Sequence, residues 1–196
     1  RFAPDMVSEI RKYLVIHKLC TPGKEPYVGV IHRLDKPVRG VMVYAKNQKS
    51  AANLSAQIQE GKMRKIYAAV VCGKPVDNNG TYVDYLKQDK KNNCSRIVDK
   101  SDPDGKRAEL EYKVLDCMQT EEKDPQYLSL VEIKLLTGRH HQIRVQMAHM
   151  EHPLIGDRKY NLTGTSSPKL LLCAFRLSFR HPVTGKKMEF TLPVPE

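Results

Sequence analysis

The chain has 196 residues, 40% of them hydrophobic, a net charge of +11 and a pI near 9.4. That length suffices for one sizeable core, or for two small lobes, and no apolar run approaches the ~20 residues a bilayer-crossing helix needs. Five cysteines, Cys20, Cys72, Cys94, Cys117 and Cys173, are odd in number, widely spread and without a Cys-x-x-Cys pair. They fit reduced thiols in a cytoplasmic protein better than a disulfide framework or a zinc site.

The opening residues Arg1 to Pro4 carry no signal-peptide pattern, and Asp5 to Tyr13 reads as the start of an amphipathic helix with Asp5 as cap and Met6, Ile10 and Tyr13 at helical spacing. Val28 to Ile31 and Val41 to Ala45 are short, β-branched runs bounded by polar and Gly/Pro residues, as buried strands are. Between them the chain must bend, at His32-Arg33-Leu34-Asp35-Lys36-Pro37-Val38-Arg39-Gly40. Pro37 fixes its own φ and Gly40 tolerates angles closed to other residues. A lone carboxylate, Asp35, is thereby held on a rigid bend among Arg33, Lys36 and Arg39, and nearby positive charge favours its ionised form. An ionised acid suits a nucleophile or an electrostatic stabiliser, not a general acid. The plainer reading is a surface ion pair.

Asn47 to Lys62 reads as a helix, with Asn47 as cap, Ala51, Leu54 and Ile58 as its apolar stripe and Gly61 as stop. A strand follows from Met63 to Cys72, entered through Arg64-Lys65 and carrying Tyr67. Residues 74–127 look like a peripheral elaboration, with turn signals at Asn78-Asn79-Gly80 and Pro103-Asp104-Gly105, an alternating strand through Ala108, Leu110, Tyr112 and Val114, and a solvated acidic loop from Glu121 to Asp124. Tyr127 to Leu136 is the next strand, with Val131, Ile133 and Leu135 on one face. It runs into Thr137-Gly138-Arg139-His140-His141-Gln142-Ile143-Arg144-Val145-Gln146-Met147, a turn leading to a helix on which Ile143 and Met147 share a face. Adjacent histidines diverge, so His140 and His141 make poor metal ligands, and no metal is expected. Leu170 to Phe179 and Met188 to Leu192 close as a hairpin, with Leu171 and Leu172 near the sheet's centre.

Residues 29–70 carry eight Lys/Arg against two acids, whereas residues 74–130 carry ten against twelve. The basic excess lies where the motifs are, and such a field attracts a polyanion. A solvated basic face is the plain alternative.

His32-Arg33-Leu34-Asp35 followed by a Pro, a Gly and an apolar strand, then Lys65-Ile66-Tyr67, Gly138 to Arg144, His152 to Tyr160 and the final hairpin, stand in the order of the RluA-like RNA pseudouridine synthases, and the chain resembles that family over nearly its whole length. The resemblance implies an isomerase that turns uridine into pseudouridine within ribosomal or transfer RNA, detaching the base from carbon 1 of the ribose and rejoining it through carbon 5. It implies Asp35 as the essential aspartate, Tyr67 as the tyrosine stacked on the target base, and Arg139 as the arginine that pairs with Asp35. Arg33, His32, Leu34, Lys36, Arg39, Lys65, Gln142 and Arg144 would contact substrate, with Leu171 or Leu172 as an apolar wall. No electron moves and no bond to water forms, so no cofactor is expected. RNA is the expected partner and the monomer the default state.

Two departures bear on substrate choice: Pro37-Val38-Arg39 stands where relatives have Thr-Ser before the glycine, and His140 where a Thr or Ser is common. A strand with a Lys-Pro-x-Gly segment opens the family's catalytic domain and is absent here, so residues 1–196 are expected to be that domain without its first strand. The expected fold is α+β, a bent, mostly antiparallel mixed sheet with flanking helices, in two lobes around a catalytic groove. Two other readings compete: a catalytically inactive RNA-binding module of the same fold, and a glycosidase using Asp35 with Asp157.

Overall fold

A computed structural model describes residues 5–121, 126–161, 167 and 169–193. The expected Glu121 to Asp124 loop falls largely, and Arg1 to Pro4 wholly, outside the described residues. The fold is mixed α+β, and the chain divides into two compact units, residues 1–34, 42–63 and 178–190, and residues 35–41, 64–177 and 191–196.

The first unit contains α1 (Met6–Ile16), β1 (Gly29–Val30), β3 (Tyr44–Ala45) and α2 (Gln48–Gln59), besides the end of β9 (Leu172–Arg180) and most of β10 (Lys187–Thr191). Asp5 caps α1 through Oδ1, accepting from the N–H groups of Val7 and Ser8, and Asn47 caps α2 by accepting from Ser50. Of the stripe predicted on α1, Met6 and Tyr13 are exposed and Ile10 is half-buried; the inward line is Val7 and Ile10, both half-buried, and the buried Leu14, at 3–4 spacing. On α2 the predicted stripe packs inward around Leu54. Gln57 of α2 brackets Arg180 of β9, donating to its carbonyl and accepting from its N–H, both at 2.8 Å. The two strands expected around the bend shrink to two residues each, paired antiparallel as Gly29↔Ala45 and Val30↔Tyr44.

The second unit is built on a sheet in the order β9-β4-β8-β7-β5-β6, with β4 spanning Arg64–Cys72, β5 Asn79–Asp89, β6 Cys94–Val98, β7 Lys106–Gln119 and β8 Tyr127–Leu135. The pairings of β4 with β8, β8 with β7, β7 with β5 and β5 with β6 are antiparallel. Residues 74–127 are therefore not peripheral: they supply three strands of this sheet. Their signals were split between turn and strand. Pro103-Asp104-Gly105 closes a turn, whereas Gly80 starts β5 opposite Tyr112, where a Cβ would lie 2.8 Å from the tyrosine ring.

One short strand, β2 (Arg39–Gly40), pairs in parallel with β9 as Arg39↔Cys173 and Gly40↔Ala174. It was expected only as part of a bend. Gly40 permits it, having φ +149°, and a side chain there would collide with the carbonyl of Ala174 and come within 2.5 Å of its Cβ. Helix α3 (Gln142–His149) packs on β5 and β6, where Val145 joins Leu86 and Ala108 in a core cluster lined by Ile97 and Tyr160. A second cluster, Ala68, Cys173 and Phe175, joins β4 to β9. No helix among the described residues is long and apolar enough to cross a membrane.

Candidate active site

Asp35 lies in a tight turn closed by the Val38 N–H donating 2.8 Å to the Asp35 carbonyl, and buried Val38 plus the β2–β9 pairing anchor the turn's far side. Its side chain is 29% exposed, and Oδ2 faces Nη1 of Arg144 at 3.6 Å and Nε2 of His141 at 3.7 Å. Lys36 and Arg39, its neighbours in sequence, are exposed and make no ion pair with it among the described residues.

The arginine at Asp35 is therefore Arg144 and not Arg139. Arg139 sits in the connection between β8 and α3, exposed, with Nε donating 2.8 Å to the carbonyl of Arg107. Arg144 is one further turn on, in α3, and buried. Its Nε and Nη2 grip Asp157 in a fork of 2.8 and 2.7 Å, and its guanidinium lies over the Tyr160 ring, 5.1 Å from the centroid. The fork is what aims Nη1 at Asp35. Asp157, wholly buried, also accepts from the backbone of Lys159 at 2.9 Å. Burial opposes its ionisation, but these hydrogen bonds outweigh it and hold the carboxyl below its usual range. With both oxygens taken, Asp157 is not the second, exposed carboxylate a glycosidase needs.

Tyr67, on β4 opposite Ile133 of β8, is 7% exposed. Its phenol is pushed up to about 12, first by burial and then by the negative charge of Asp35. It stays protonated at neutral pH. Lys65, two residues earlier on β4, is half-buried, and burial lowers its ammonium pKa. No carboxylate pairs with it among the described residues, and its Nζ lies next to Gly138, 3.3 Å from where a Cβ would stand.

The remaining expected contacts divide. Gln142 is buried at 3% and bonded at both ends of its amide: its Oε1 accepts from Thr137 Oγ1 and the Arg139 N–H, and its Nε2 donates to the Glu109 carbonyl. It anchors the start of α3. Leu172 is buried as the first residue of β9, while Leu171 is 40% exposed. In the first unit, Arg33 is exposed with no ion pair among the described residues, Leu34 is half-buried, and His32 Nε2 accepts from the Val43 N–H at 3.2 Å.

Two further side chains at the site carried no role in the sequence reading. His141, 4% exposed at its side chain and in the left-handed region at φ +54°, places its ring beside Asp35, and Tyr160 bonds to its other nitrogen at 2.7 Å. No local signal marked them: residues 142–147 are all buried, polar and apolar alike, so α3 has no polar face whose periodicity could point to the site.

The profile of the RNA pseudouridylate synthase family matches residues 6–149. An uncharacterized RNA pseudouridine synthase of Aquifex aeolicus is 37% identical over 92% of this chain and 58% of its own length. The ribosomal large subunit pseudouridine synthase C of Buchnera aphidicola is 35% identical, over 87% of this chain and 54% of its own. The chain thus spans about half the length of the curated relatives it matches. Among solved structures, human RNA pseudouridylate synthase domain containing 4 superposes with a TM-score of 0.75 at 20% identity, covering 99% of this chain and 81% of that one, and shows the same fold.

Proposed function

Since the chain belongs to the RNA pseudouridylate synthase family, whose profile covers most of it, we propose that it isomerises uridine to pseudouridine at particular positions of a structured ribosomal or transfer RNA. The observation that carries this reading is the placement of Asp35: a partly exposed carboxylate on an anchored turn, one oxygen facing Arg144 and its charge felt by the Tyr67 phenol.

In this reading the uridine is drawn out of its stack, at a cost of a few kcal/mol that is least in a loop or bulge. Stacking on the Tyr67 ring and phosphate contacts from Arg33, Lys36, Arg39, Lys65 and Arg139 offset that cost. Leu171, exposed at the start of β9, is the better placed of the two leucines to meet the base. Asp35 acts as an anion, attacking the sugar or base, or taking a sugar proton in a glycal route. Arg144 orients it and serves as a positioning residue.

Tyr67 begins as a neutral phenol. Its two causes of elevation are burial and the Asp35 charge, and the second disappears once Asp35 is bonded or protonated. Help from the phenol oxygen in removing the carbon 5 proton belongs late in the reaction, once carbon 5 is joined to carbon 1 of the ribose.

The test is tritium release from RNA labelled at carbon 5 of uridine, prepared from cells lacking this protein, with the intact chain beside Asp35→Asn. Release by the intact chain alone is expected. RNA binding without release by either, repeated with a longer chain of the relatives' full length, would favour the inactive RNA-binding module.

A further inference from the structure

The ring of His141 stands between Tyr160 and Asp35, and its protonation pattern can be worked out from the hydrogen bonds around it. Tyr160 Oη accepts the backbone N–H of Ser95 at 2.8 Å. Among the described residues, His141 Nδ1, at 2.7 Å, is the acceptor within hydrogen-bond reach of the Tyr160 proton, which favours donation from the phenol to that ring nitrogen. Nδ1 therefore offers its lone pair, and a neutral imidazole must carry its hydrogen on Nε2, the atom facing Asp35 Oδ2.

The neutral state follows from the surroundings. His141 faces Asp35, Arg144, His140 and Lys159, while Tyr160 in turn faces Arg144, Asp157 and Cys94. Burial together with Arg144, His140 and Lys159 outweighs the attraction of Asp35 and brings the imidazole down to about 4. At 3.7 Å a neutral Nε2 stands near Asp35 Oδ2 without an ion pair or a hydrogen bond between them.

Stacking and backbone conformation hold the arrangement. His140 stacks on His141 with centroids 3.8 Å apart, and its own Nδ1 lies 2.9 Å from Ser95 Oγ. The left-handed backbone at His141 is uncommon for a residue with a Cβ and costs about 1 kcal/mol or more, a strain that persists only where surroundings enforce it.

We propose that Ser95, Tyr160 and His141 form a relay of fixed hydrogen bonds that presents the His141 Nε2–H to Asp35 Oδ2, so that Oδ2 is the held oxygen and Oδ1 the one that reacts. His141 and Tyr160 are then positioning residues. Hydrogen bonds at reacting groups are often long before substrate binds, and the 3.7 Å separation is to shorten in the complex. This rests on the catalytic role proposed for Asp35, but the tautomer does not.

Long-range proton–nitrogen NMR of the labelled chain at pH 7 reads the tautomer directly. The expected result is a neutral ring protonated at Nε2, whose nitrogen resonance moves in Asp35→Asn. In Tyr160→Phe the ring becomes a mixture of tautomers and takes up a proton at higher pH. Protonation at Nδ1, or an imidazolium at pH 7, would overturn the relay whether or not the chain is active.

Single-turnover tritium release supplies the second readout. Tyr160→Phe should slow the chemical step roughly 10-fold to 100-fold, the scale of a misplaced reacting group, with RNA affinity unchanged and a new acid limb in the pH profile. His141→Gln, which can set an amide N–H at the same place, should retain more activity than His141→Leu. Equal rates for Tyr160→Phe and the intact chain at every pH would overturn the positioning role, whereas an active Asp35→Asn would instead overturn the assignment of Asp35.

Discussion

Arg144 does two jobs with one guanidinium, and they can be separated. Its fork satisfies the buried Asp157, and the remaining nitrogen faces Asp35. Arg144→Met leaves a buried carboxylate without its partner and should cost about 3–5 kcal/mol in a urea melt. Combining it with Asp157→Leu removes the orphaned charge and should restore much of that stability, while tritium release stays low because the Arg144 guanidinium no longer faces Asp35. Recovery of activity in the double variant would show that the contact with Asp35 is dispensable. His141 contributes a pH dependence of its own. Its folded value near 4 lies below the ordinary 6.5, so the unfolded chain binds more protons on acidification. Its contribution to stability is present above pH 6.5 and is lost as pH falls toward 4, by up to about 3 kcal/mol. Denaturation midpoints between pH 7 and 4.5 should converge for the intact chain and His141→Gln, and parallel curves would contradict this.

At the scale of elements, the Asp35 turn depends on a two-residue strand. Gly40 is at φ +149° against the backbone of Ala174, and any side chain must push β2 away from β9. Gly40→Ala should destabilise the chain by about 2–4 kcal/mol in a thermal or urea melt. Gly61→Ala, also at positive φ but with open space around its Cβ, should cost less, which separates the collision from the backbone term. Helix α3 is eight residues long, too short to persist alone, and its order comes from packing and from Gln142 tying it to Thr137 and Glu109. That explains why substitutions at Gln142 should act through the fold rather than by direct loss of an RNA contact.

For the whole molecule, the +11 charge makes salt the natural probe of the proposed RNA partner. Binding should weaken linearly in a log–log plot against salt, and each of Lys36→Ala, Arg39→Ala and Lys65→Ala should flatten the slope by about 0.7–0.9 if its cation meets a phosphate. Filter binding from 50 to 200 mM salt measures it, and an unchanged slope removes that residue from the interface.

Much was already legible in the chain alone. Helix caps at Asp5 and Asn47, the hairpin about His181 to Lys186, the strands carrying Tyr67 and Ile133, and the isolation of Asp35 on a bend all follow from local stereochemistry, which acts over a few residues. Family order then singled out the acid and the phenol. The tertiary structure alone decided which cation faces Asp35, that residues 74–127 build the sheet, that Gln142 is buried and bonded within the fold, and that His141 lies beside Asp35 with Tyr160 bonded to it. Arg139 and Arg144 are alike in charge and only five positions apart, and local pattern carries no record of which one is buried. That depends on Asp157, thirteen residues beyond Arg144, whose buried carboxylate must be matched by a fork of donors, and such a long-range demand is met only when the chain has folded.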